Sequence, residues 1–139
     1  MGVTVKYPLT AFPALLIPIG IYAIAAFAGG RGFADVLNDA VFTIAMPAKT
    51  NWVLSWGELF VIAGLGALFA DLLKSTGTGT ATLINHGLSV ALFVVGLVFF
   101  LIIPAFVTSP FFILLVMALL DIIAGFTITI FGAKRDVAL

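Results

Sequence analysis

The chain has 139 residues, 63% of them hydrophobic and only 9% charged, and a mean hydropathy of +1.33; this excludes an ordinary soluble domain and makes lipid the expected solvent. Six basic and six acidic residues cancel, which removes the field that nucleic acid or another highly charged partner requires. With no cysteine and one histidine, His86, disulfides, thiolate metal sites, Fe–S clusters and a bis-histidine haem within one chain are excluded.

A helix needs about 20 apolar residues to cross the hydrocarbon core and must satisfy its backbone groups internally. Windows of this kind predict spans over about 9–28, 52–73, 83–107 and 110–132. In the first, Pro13 and Pro18 predict a bent helix whose freed carbonyls are satisfied by neighbours rather than lipid. Ala26-Phe27-Ala28 has the small-x-small form of a signal cleavage site, but the interrupting prolines and a basic part limited to Lys6 favour a retained span.

After Gly29-Gly30-Arg31-Gly32, the residues Phe33, Val36, Leu37, Ala40, Val41 and Ile44 recur at helical spacing. A helix over about 33–46 is too short to span, and with Arg31, Asp35, Asn38 and Asp39 at its start it is expected to lie along the membrane surface, ended by Pro47. Trp52 and Trp56 suit the aromatic belt beside it.

Ser55-Trp56-Gly57-Glu58 matches the S-x-x-E capping box at the start of the second span. The other reading of Glu58 is one half of a carboxyl pair with Asp121, which requires the second and fourth spans to be neighbours. Asp71, near the far end of the second span, is placed for an ion pair with Lys74 three residues on. It is also placed for a hydrogen bond to His86 at similar depth in the next span, with Asn85 beside it and Ser89 one turn beyond.

Lys74-Ser75-Thr76-Gly77-Thr78-Gly79-Thr80 reads as a solvated loop with threonines able to cap the third span. Thr108-Ser109-Pro110 predicts a tight turn, with Ser109 as cap and Pro110 in the first helical turn. Asp121 stands at the centre of the fourth window. A carboxyl at that depth is costly, about 2.5–3.5 kcal/mol on insertion scales. It is either a proton- or cation-responsive group or a neutral carboxyl bonded to a neighbouring helix.

Small residues in the second span (Gly57, Gly64 and Gly66) and in the fourth (Gly125) permit close helix contact, either within the bundle or on a face for self-association. Lys6, Lys74, Lys134 and Arg135 fall on one side of the predicted topology and Arg31 and Lys49 on the other, which favours cytoplasmic termini.

The runs Ser55-Trp56-Gly57-Glu58-Leu59, Asp71-Leu72-Leu73-Lys74-Ser75-Thr76 and Ala118-Leu119-Leu120-Asp121-Ile122-Ile123-Ala124-Gly125-Phe126-Thr127 resemble those of short, uncharacterised four-span proteins of proteobacterial inner membranes. The resemblance covers most of the chain. It implies location in the inner (plasma) membrane and a four-span fold, and carries no activity. The charged residue deep in the first span that marks small multidrug transporters is absent here.

The expectation is therefore an all-α integral membrane protein. It is a single domain, 1–139, built as a four-helix bundle with a short amphipathic interfacial helix. No enzyme activity, cofactor or metal site is expected. The leading functional reading is a non-catalytic membrane protein that associates with itself or serves as an accessory subunit of a larger complex. The alternative is a small channel or proton-coupled transporter using Asp121.

Overall fold

A computed structural model describes residues 11–77 and 79–138, with side chains to residue 134. Lys6, the predicted start of the first span at 9 and the side chain of Arg135 lie outside what is described. The elements in order are α1 (Leu16–Gly29), a 3-10 turn (Gly30–Gly32), α2 (Phe33–Asn38), β1 (Ala40–Ala45), β2 (Asn51–Ser55), α3 (Trp56–Lys74), α4 (Thr80–Ile102), a second 3-10 turn (Pro104–Phe106) and α5 (Ser109–Ala138). The chain is thus mostly helical, and among the described residues four helices are long and apolar enough to cross a membrane: Leu16–Asn38 taken through its turn, Trp56–Lys74, Thr80–Ile102 and Ser109–Lys134.

The segment 33–46 departs from expectation. Helix persists only through α2; Ala40–Ala45 is a strand paired antiparallel with Asn51–Ser55, the latter predicted as the start of the second span. Two causes are visible in the sequence. Asn38 and Asp39 are poor helix formers, and Asp39 turns to extended backbone. Beyond them Val41, Phe42, Thr43 and Ile44 are β-branched or aromatic, and a short apolar run satisfies a helical and an alternating pattern alike. Pro47 starts the hairpin turn, Lys49 N–H donates to Met46 O at 3.0 Å, and Lys49 takes a left-handed φ of 62°. This is a tight turn closed by one αL residue. Val41 bulges between the paired residues Ala40 and Phe42.

Within the first window the helix is interrupted: Ala11 is helical, the next four residues are not, and α1 begins at Leu16. Pro13 lacks an N–H and restricts the residue before it, so regular helix is interrupted there and resumes beyond it. At about 1.5 Å per residue, the 14 residues of α1 reach only about 21 Å, and the Gly30–Gly32 turn with α2 extends the segment at its other end.

The long α5 packs against both α3 and α4, while α1 packs on α3. Among α3 residues the buried ones are Gly57, Gly64 and Asp71, seven residues apart each time, which is the repeat of two helices running side by side. A Cβ on Gly57 would meet Pro110 Cγ at 2.7 Å, and one on Gly64 would meet Leu114 Cδ2 at 2.5 Å and Met117 Sδ at 2.8 Å. Small residues of α3 therefore receive large ones of α5, and α3 and α5 run parallel.

Near the hairpin end of the molecule, Tyr22 is fully buried and its ring packs on Phe33, Phe60, Phe106 and Phe111. Its hydroxyl donates to Ala105 O at 3.2 Å and pairs with Thr108 Oγ1. Thr108, rather than the expected Ser109, caps α5, accepting from Phe111 N–H at 3.4 Å. At α4 the N-cap is Gly79 at φ 109° with no side-chain cap, in place of the threonines proposed from the sequence.

Candidate functional site

The polar side chains buried in the apolar body gather at the end of the molecule opposite the hairpin: Asp71, Ser75, Thr82, Asn85, His86, Ser89 and Asp121. Their centre is a consequence of the break before α1. The first turn of a helix leaves backbone N–H groups without partners, and the N-cap residue of α1, Leu15, has no side chain that could serve. Asp71 supplies the missing acceptors from α3. Its Oδ1 accepts from Ala14 N–H, and its Oδ2 accepts from Leu15 N–H at 3.1 Å.

The dipole at that helix end favours the negative charge. Lys74 adds a cation, with Nζ 3.8 Å from Asp71 Oδ1 and donating to Phe12 O at 3.0 Å. The carbonyl freed by the proline break thus finds its partner on a neighbouring helix.

Asp121, on α5, stands close to Asp71 and accepts from Ser89 Oγ at 3.4 Å. Asp71 is fully buried and Asp121 is 4% exposed. Along α5, Asp121 lies roughly 18 Å from Ser109 at 1.5 Å per residue.

His86 does not meet Asp71. Its Nε2 pairs with Thr129 Oγ1 at 2.9 Å and its ring lies on Phe126, with centroids 4.7 Å apart. Thr129 in turn donates to Ser75 O at 3.3 Å, and Ser75 Oγ donates to Asp71 O at 3.1 Å. Gly125 makes this junction possible, since a Cβ there would stand 2.8 Å from His86 Cε1 and 3.1 Å from Ser75 Oγ.

Glu58 takes no part. It is exposed and completes the capping box, accepting from Ser55 N–H at 2.9 Å while Glu58 N–H donates to Ser55 Oγ at 3.2 Å. The second and fourth spans are neighbours, as the Glu58–Asp121 pairing required, but the carboxyl that reaches Asp121 is Asp71. Ser75 and Thr129 were the residues missed. The signal that finds them is the parallel register of α3 and α5, in which Gly57, Gly64, Asp71 and Ser75 successively face Pro110, Met117, Asp121 and Gly125.

Among the described residues, every buried side-chain nitrogen and oxygen has a hydrogen-bond partner, and no group of three or more His, Cys, Asp or Glu could hold a metal ion. Chemically, the arrangement ties α1, α3, α4 and α5 together through a buried carboxyl pair, hydroxyl contacts and a set of backbone caps. No family model, curated protein or solved structure matches the chain.

Proposed function

We propose that the chain is a multi-pass protein of a bacterial inner membrane, both termini cytoplasmic, that works without catalysis as a self-associating or accessory subunit of a membrane assembly. Its four spans would form the membrane bundle, and the segment between α1 and α3 would lie at the outer surface. The observation that carries the assembly role is the outward face of α1 and α3. Gly57, Gly64 and Gly125 are consumed by packing inside the chain, whereas a Cβ on Gly66 would touch nothing within 4 Å. Ala63 and Gly66 are exposed on α3, and beside them an open apolar groove of about 430 Å³ runs between the helices, lined by Ile17, Pro18, Ile21, Leu59, Phe60 and Ala63 among others.

Between membrane helices association rests on close backbone approach and dispersion, because lipid is as apolar as the side chains. A groove flanked by small residues suits a helix of a second subunit. Native mass spectrometry of protein gently extracted from its membrane tests this. The expected result is more than one subunit per particle, reduced to a single chain by Gly66→Leu with the fold retained; a monomer without partners in the unsubstituted protein contradicts it.

The second reading, a proton-coupled transporter or channel, is favoured by one feature, the two buried carboxyls Asp71 and Asp121 standing together beside a broken helix. Discontinuous helices with charged groups at their ends line the sites of many transporters. Full hydrogen bonding of the buried groups and the backbone caps made by Asp71 support the structural role ahead of it.

A further inference from the structure

The hairpin carries an apolar face that the chain itself leaves largely uncovered. Strand alternation and the observed register, Phe42 opposite Leu54 and Ile44 opposite Trp52, put these four large side chains on one face. Thr43, Ala45, Asn51 and Val53 take the other. Leu54, at the root, is 6% exposed, whereas Phe42, Ile44 and Trp52 are 42%, 45% and 44% exposed. The root is therefore turned to the body of the protein, and the same surface continues outward from it. Phe42 and Trp52 stack edge to face, with centroids 5.6 Å apart.

An isolated two-stranded hairpin is marginal in water, and this one has only Lys49, at its tip, as a charge between Ala40 and Ser55. β2 runs directly into α3 at Trp56, so the face begins where an apolar helix able to cross a membrane begins.

We propose that this face seats on the lipid surface itself, with Phe42, Ile44 and Trp52 in the boundary between headgroups and acyl chains and Lys49 among the phosphates. The inference rests on the membrane reading above. Three observations argue for lipid over a protein occupant: the face continues the apolar end of α3, it carries no charge, and its exposed members include an indole and a phenyl ring. Aromatic rings of this kind concentrate at the level of the headgroups. The other face, with threonine and asparagine, suits water.

The chain holds two tryptophans, Trp52 and Trp56, which makes the test direct. Protein carrying Trp56→Phe, reconstituted in phosphatidylcholine vesicles, reports Trp52 alone. The expected result is blue-shifted emission, quenched more by phospholipid brominated near the head of the acyl chain than near its end, and little quenched by aqueous acrylamide. Ile44→Lys should shift the emission to the red and remove the bromolipid quenching, whereas Thr43→Lys, on the opposite face, should leave both unchanged.

Strong acrylamide quenching without bromolipid quenching places Trp52 in water and overturns the proposal; resistance to both quenchers places it against protein and overturns it equally. The companion Trp52→Phe variant reports Trp56. If Trp56 also escapes bromolipid and alkaline carbonate strips the protein from the vesicles, the failure belongs to the membrane reading.

Discussion

Asp71 joins two functions that few side chains could combine: both its oxygens close the open end of α1, and the same carboxyl stands beside Asp121. Alanine at this position leaves the buried Leu15 N–H and the partly buried Ala14 N–H without acceptors, at up to about 1–3 kcal/mol each. Asp71→Asn keeps one acceptor oxygen. Thermal unfolding in detergent micelles should therefore rank the alanine variant clearly below the asparagine variant; equal losses would mean that the caps contribute nothing. The capping box makes a smaller claim. Ser55→Ala should cost about 1 kcal/mol, and adding Glu58→Ala should cost much less than a second full increment, because the two contacts are reciprocal. Full additivity in the same unfolding experiment would contradict that reciprocity. The role of Glu58 was legible from sequence because the S-x-x-E spacing is a local property. The Asp71–Asp121 pair was not, because it depends on which helices run side by side, and His86 was misassigned to Asp71 for the same reason.

At the scale of elements, the contrast between Gly57 and Gly66 measures how tightly α3 is held. A methyl at Gly57 meets the ring of Pro110 and, at 3.2 Å, the carbonyl of Leu37, neither of which can swing aside as a flexible side-chain end could. Gly57→Ala should therefore destabilise by about 1–3 kcal/mol. Gly66→Ala meets nothing and should be neutral or slightly stabilising, since alanine is the better helix former. Similar effects at the two positions would show that α3 and α5 do not pack in this register. Three of the four helix windows were legible to within a few residues because long apolar runs admit one reading. The hairpin was not, because its strands are short and a six-residue apolar run has no unambiguous period. The early break of α1 could be anticipated from Pro13, but its cap could not, since the capping side chain lies 57 residues away from Ala14 in sequence.

For the whole molecule, the distribution of polarity separates inside from outside more sharply than hydrophobicity does. Large side chains such as Ile24, Phe69, Leu101 and Phe131 are exposed, whereas the buried polar groups are paired within the bundle. In water that surface would drive aggregation; in lipid it has its solvent, and cohesion falls to close packing and to the network around Asp71. That network has its acceptors and donors matched without any substrate, which is what a structural core requires. Proton flux into vesicles, compared between the unsubstituted protein and Asp121→Asn, tests this most directly. The account predicts no flux above protein-free vesicles in either case. A protein-dependent flux that Asp121→Asn abolishes would contradict it and make the carboxyl pair a transport site.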